Sequence, residues 1–229
     1  MTRRTKPAGV IHFTSGNEKL EYTGRKNGCF LFAFGLPAIQ TCPFAGECKK
    51  LCYASVGNFS FPSVKNRLQD NLAFSKTATF VEDAIAELKA LIKFANGIPV
   101  VVRLHDSGDF YNVAYVNAWF EIMTAVPEVQ FYAYTKSFTL IEAANKVPNN
   151  FKYIPSKGGK KDAALTGRAC AVVVPEGTTP EMLPVGTVLG GKDDLENLRQ
   201  FVAGNIVALA AHGAKRRAAG KKVGEPCKT

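Results

Sequence analysis

Three cysteines within eleven residues, Cys42, Cys48 and Cys52 in the spacing C-x5-C-x3-C, are the densest concentration of soft ligands in the chain. Thiolates on one short loop favour zinc or an iron–sulfur cluster. Zinc sites usually present two C-x2-4-C or H-x3-5-H pairs, and no second pair follows here. Three ligands on one loop instead suit a [4Fe-4S] cubane, with one iron left for a distant ligand or for a substrate. Zinc stays the alternative metal. Free cysteines also pack as small hydrophobes, but Gly46, Glu47, Lys49 and Lys50 make this a poor core segment. Cys29, Cys170 and Cys227 are scattered candidates for a fourth ligand.

A second cluster is His105-Asp106-Ser107-Gly108-Asp109, directly after the apolar run Ile98–Leu104. Three ionisable groups in five residues could serve as general acid and base, or hold a hard metal as in a metal-dependent nuclease. A histidine there could equally cap the strand. His12 and His212 lack partners in sequence and read as structural or surface residues. No Walker loop, dinucleotide-binding glycine fingerprint or G-x-S-x-G elbow is present. Gly158-Gly159-Lys160-Lys161 reads as an exposed turn able to touch phosphate.

The elements that must position these groups alternate. Val10–Phe13 and Leu20–Tyr22, around Ser15-Gly16-Asn17, predict a small N-terminal hairpin, and Cys29–Phe34 a strand. A helix of about a dozen residues ends at Ser75. Thr79-x-x-Glu82 has the capping-box form and opens an amphipathic helix that stops at Asn96-Gly97. Ile98–Leu104 reads as a buried strand of a parallel sheet. Asn112 caps the next helix, Val129–Tyr134 is a strand, Thr139 and Glu142 have a second capping-box form, and Phe151–Ile154 is a further strand. Strands at Ala171–Val174 and Gly186–Leu189 and a helix from about Leu195 complete the pattern.

This βα alternation predicts an α/β fold whose chemistry lies at the carboxyl ends of its strands. The loops collected there are His105–Asp109, Thr135–Ser137 and Ser156–Lys157. Residues 1–9 read as a flexible basic arm, 10–217 as one α/β domain and 218–229 as a mobile basic tail.

With 229 residues and 46% hydrophobic content the chain can bury a core. No apolar run has the length of a membrane span and no signal-peptide core follows the polar start. An intracellular setting favours ligand or catalytic cysteines over disulfides. A net charge of +10 permits nucleic acid, a nucleotide or another polyanion as partner.

Leu36-Pro37-Ala38 leading into Thr41-Cys42-Pro43-x-Ala45-x-x-Cys48-x3-Cys52-Tyr53-Ala54 resembles the phage "gene product 88" family. So do Arg103-x-His105-x-Ser107-Gly108-Asp109-Phe110, Phe131-Tyr-Ala-Tyr-Thr-Lys136-Ser137 and Ala211-His212-Gly213. The Cys-Tyr-Ala loop ahead of a βα series is in turn similar to radical-SAM proteins, although their usual spacing is C-x3-C-x2-C. That likeness implies a partial (β/α) barrel. It also implies a cluster on Cys42, Cys48 and Cys52 that cleaves S-adenosylmethionine to start radical chemistry, with a nucleotide or nucleic acid as substrate. His105, Asp106, Ser107, Asp109 and Lys136 would then line the catalytic pocket, with Tyr53, Ser107, Asp109, Lys136 and Ser156 on the cofactor. The setting implied is the cytoplasm of the infected host. The rival expectation is a nucleic-acid-binding protein whose cluster or zinc is structural.

Overall fold

The computed structural model describes residues 6–15, 18–50 and 52–210. Strands β1 (Phe30–Phe34), β2 (Val100–Leu104), β3 (Val129–Thr135) and β4 (Phe151–Pro155) form one sheet in that order. All three pairings are parallel, with Phe30 beside Val100, Val100 beside Val129 and Phe131 beside Phe151. A second parallel sheet has the order β5 (Ala171–Val174), β7 (Ile206–Ala210), β6 (Thr187–Gly190). The fold is therefore mixed α/β with parallel sheets. Among the described residues neither sheet closes on itself, and a single bridge, Ser156 to Ala171, links them.

Alternation along the strands sends side chains to two faces. Phe32, Phe34, Val100, Val102, Leu104, Phe131 and Ala133 enter the larger core. It is covered by α2 (Pro62–Phe74), α3 (Phe80–Ala95) and α4 (Val113–Ala125). Trp119 of α4 is wholly buried there, edge-on to Phe34 and Phe80. Leu31, Ala33, Val101 and Tyr132 point the other way. They meet Leu20 of α1 (Glu18–Asn27) and Leu195 and Leu198 of α6 (Asp194–Val202).

The expected N-terminal hairpin is not formed. Thr14 makes one antiparallel bridge to Ala33, and the chain then turns into α1. Helical spacing wins because Leu20, Thr23 and Gly24 form one buried stripe, with Glu18 and Glu21 in the first turn and Arg25 and Lys26 in the last. The described part of the expected flexible arm is held down, since Lys6 Nζ donates to the carbonyls of Ile11 and Phe13 at 3.1 Å. The remainder of that arm, the basic tail, His212 and Cys227 lie outside the described residues.

Asn112 caps α4 as expected, accepting from Tyr115 N at 2.8 Å. Neither capping-box pattern works as one. Thr79 stands at the start of α3 without a side-chain cap, and Thr139 lies inside the short helix α5 (Phe138–Glu142). Strand β7 was not anticipated from the sequence. Among the described residues no helix is long and apolar enough to cross a membrane.

Candidate functional site

Because β1 to β4 run parallel, the loops leaving their carboxyl ends share one edge, and backbone bonds tie them together. Leu36 N donates to Ser107 O at 2.8 Å, and Ser156 N to Thr135 O at 2.8 Å. His105 is in the left-handed region with φ 59°, and Gly108 follows with φ 80°. These two reversals fold His105–Asp109 back over the strand ends. A methyl on Gly108 would come within 2.5 Å of Thr41 Oγ1 and 2.6 Å of Leu36 Cβ, so only glycine permits this closeness.

The four polar residues of this loop are all nearly buried, yet their bonding differs. Asp109 is saturated, since Oδ1 accepts from Phe110 N at 2.8 Å and Thr135 Oγ1 at 2.5 Å, and Oδ2 accepts from Lys136 N at 2.9 Å. Burial still holds its carboxyl above the usual range, those hydrogen bonds offsetting only part. It fixes the β2 and β3 loops to each other. His105 bonds through Nε2 to Tyr115 Oη at 3.0 Å, and burial pushes it down to about 3, so the ring is neutral. Its Nδ1 has no partner, and neither do Asp106 Oδ1 and Ser107 Oγ. Burial raises Asp106 against the opposing influence of Arg103 and Arg67.

Asp106 fits only because Gly35 lacks a side chain. A methyl there would collide with its Oδ1 and stand 2.9 Å from Leu68 Cδ2. Helix α2 supplies two more members of this corner one turn apart, Arg67, whose nearness to the cysteine loop its place in the sequence already suggests, and Asn71, which sequence reasoning missed. Asn71 Nδ2 donates to Gly35 O at 2.9 Å, while its Oδ1 and Arg67 Nη1 are buried without partners. Orphaned polar atoms at such density are costly in a structural corner and characteristic of a functional one.

The cysteine loop is laid over this edge. Tyr53, next to Cys52, donates its hydroxyl to Asp106 O. On the far side, Cys48 N donates to Gly158 O at 3.3 Å and Lys160 N to Phe44 O at 2.8 Å. Ala45 and Gly159 form an antiparallel bridge. The Gly158-Gly159 turn is shaped by Asp162, whose two oxygens accept both glycine amides at 2.8 Å. This turn thus clamps the cysteine loop, a role its sequence did not advertise. Lys136 Nζ donates to Ser156 Oγ at 3.1 Å beneath it.

Cys42, Cys48 and Cys52 are half-buried and free of disulfides. Burial, then Asp109, pushes the Cys42 thiol up to about 12, and the charges of Cys52 and Cys48 also bear on it. Among the described residues, however, no group of three or more His, Cys, Asp or Glu side chains is drawn into a metal-holding arrangement. Cys29 immediately precedes β1, at the opposite end of the sheet, and Cys170 is enclosed with Phe138 and Leu165. Among the described candidate residues, His105 Nδ1, Asp106 Oδ1 and Ser107 Oγ are the buried polar atoms at this edge without a hydrogen-bond partner.

A family model described as "Gene product 88" matches residues 11–224. The Gene 88 protein of Mycobacterium phage L5 is 30% identical over 139 residues, covering 57% of this chain and 55% of that protein. The Gene 88 protein of Mycobacterium phage D29 is 27% identical over 188 residues, covering 77% of this chain and 75% of that protein. The chain thus spans about half the length of the L5 relative. No solved structure matches it.

Proposed function

The chain belongs to the gene product 88 family, and we propose that it is an iron–sulfur protein of radical-SAM-like type that acts on a nucleotide or nucleic acid. The observation that carries this reading is the seating of three disulfide-free thiols, within eleven residues of one another, on a loop over the carboxyl edge of a parallel sheet. Cys42, Cys48 and Cys52 would hold the cluster. Their donor chemistry fits it, and the loop is a chain of short turns, so metal binding and final loop folding would be coupled. A bound [4Fe-4S] cluster would supply the electron for reductive cleavage of S-adenosylmethionine.

The chain's own residues then have distinct tasks. Asp109 fixes the loop that carries Asp106 and Ser107, whose unpaired oxygens would receive cofactor or substrate donors. Tyr53 joins that pocket to the cysteine loop, and Lys136 and Ser156 form its other wall. The Ser156–Ala171 bridge supports reading both sheets as one curved partial (β/α) barrel. A hard-metal nuclease centred on His105, Asp106 and Asp109 finds less support, because His105 and Asp109 are engaged with Tyr115, Thr135 and Lys136.

The test is iron, sulfide and zinc content with an absorption spectrum, on full-length protein purified without oxygen. About four irons and four sulfides per chain with a broad band near 400 nm are expected, and Cys48→Ser should lose them. Dithionite and S-adenosylmethionine should then yield 5′-deoxyadenosine. Stoichiometric zinc without iron would replace this reading with the rival one, a structural zinc site in a nucleic-acid-binding protein. Absence of any metal would overturn both.

A further inference from the structure

We propose that a collar around the cysteine loop, formed by Lys49, Lys65, Lys160, Lys161 and the ring of Phe61, is the docking surface for single-stranded nucleic acid. This deepens the substrate half of the reading above and rests on it, but it does not rest on which metal the cysteines hold.

The collar is built from two places distant in sequence. The Gly158-Gly159 turn brings Lys160 and Lys161 against residues 43–46. Lys160 Nζ donates to Pro43 O at 3.3 Å, and Lys161 Nζ stands 5.6 Å from the centre of the Phe44 ring. Lys49 follows Cys48, whose amide is bonded to Gly158. Lys65 lies in the first turn of α2, directly after the turns that carry Tyr53 and Phe59. All four lysines are exposed and make no ion pair among the described residues.

The nearby acids are already engaged. Glu47 pairs with Lys50 at 2.9 Å, and Asp162 accepts the glycine amides. The rim therefore carries uncompensated positive charge, which suits a phosphate backbone. Phe61 adds a flat apolar surface, 56% exposed at the mouth of α2. A cation beside an exposed aromatic ring, as Lys65 is one helical turn from Phe61 with its amide on Phe61 O at 3.0 Å, is the combination that stacks unpaired bases. The polar corner it borders is recessed, with Asp106 and Ser107 at most 5% exposed, so a base must leave a duplex to approach it. A single strand meets that demand without the cost of unpairing.

Fluorescence anisotropy of labelled oligothymidylate with the full chain, across a salt series, tests this. Equal-length duplex DNA and heparin serve as competitors. Oligothymidylate should bind, more tightly than duplex. Replacing the four lysines by alanine should weaken it and flatten the log–log salt slope by about 0.7 per lysine. The four-arginine variant should restore it. Phe61→Ala should cost roughly tenfold in affinity without changing the slope. The four-alanine variant should keep the wild-type metal content, so loss of oligothymidylate binding with the metal retained is read at the collar, whereas binding by a metal-free wild type fails the metal reading alone. The proposal is overturned if wild type does not bind, if duplex or heparin binds as well, or if the four-alanine variant keeps its affinity and slope.

Discussion

Asp194 and Asp106 are both buried carboxylates that feel the charge of Arg103, on opposite sides of the strand that carries it. Asp194, at the start of α6, is paired with two cations and a tyrosine hydroxyl. Arg103 Nη1 reaches it at 2.6 Å, Lys19 Nζ at 2.6 Å and Tyr132 Oη at 3.0 Å. Asp106, at the strand's end, has one oxygen without a partner, and neither Arg103 nor Arg67 forms an ion pair with it among the described residues. Burial works against the charge of both. At Asp194 the two cations outweigh it and bring the carboxyl below its ordinary value, whereas at Asp106 burial prevails and the carboxyl lies above. A satisfied buried charge holds α6 and α1 to the sheet. An unsatisfied one is kept where stability is given up for a site.

Matched substitutions break this comparison most forcefully. Asp194→Asn leaves Arg103 and Lys19 with uncompensated buried charge, and should cost about 3–5 kcal/mol in urea unfolding. Asp106→Asn removes a carboxylate that burial disfavours, and should lie within about 1 kcal/mol of wild type while any activity at the site is lost. Comparable losses from the two would make Asp106 a structural residue and remove the reason to place a site there.

A pH series sharpens the contrast, because the two groups have opposite signs. The folded value of Asp194 is depressed, so its contribution is present above the unfolded aspartate value near 4 and is lost as pH falls through the lower folded value. Asp106 is raised, so the folded state keeps its proton where the unfolded chain has released it. Its contribution therefore declines as pH rises from about 4 toward the folded value. The stability gap between wild type and Asp194→Asn should close on acidification. Asp106→Asn should gain on wild type as pH rises. Parallel pH profiles for the two variants would contradict the opposite environments.

The same contrast runs through what the sequence discloses. The strands β1 to β4 are legible because each is a mainly apolar run bounded by turns, interrupted only by Arg103, Gln130 and Lys152, and their parallel order brings His105–Asp109, Lys136 and Ser156 to one edge as the alternation implies. β7 is Ala-rich, follows a helix and carries no β-branched run comparable to Val100–Val102, so nothing local distinguishes it. Residues 18–27 mislead because Leu20 and Tyr22 alternate over a stretch too short to separate two periods. Within the site, the cysteines and the strand-end loop announce their chemistry by type and spacing. Arg67, Asn71 and Asp194 do not, since what makes them matter is a partner distant in sequence, such as Asp106, Gly35 or Arg103, while Asp162 matters only through the fold of the turn whose amides it accepts.

The smallest of the expected effects bears on the tie between the cysteine loop and the Asp106 corner. Tyr53→Phe deletes only the hydroxyl that donates to Asp106 O, while the ring keeps its edge-on contact with Phe59 at 5.6 Å. The global cost should be about 1 kcal/mol, that of one hydrogen bond to a carbonyl. Its local consequence is more informative. If Tyr53 couples the two loops, amides from Cys42 to Val56 should exchange with solvent faster in the variant, while those of β3 keep their protection. The Gly158 clamp would still hold the other side, through Cys48 N, so the loop should loosen at its Cys52 end first. Equal exchange at the Cys42 and Cys52 ends, or none gained at either, would mean that the cysteine loop and the polar corner are independent neighbours, and that only the clamp positions the thiols.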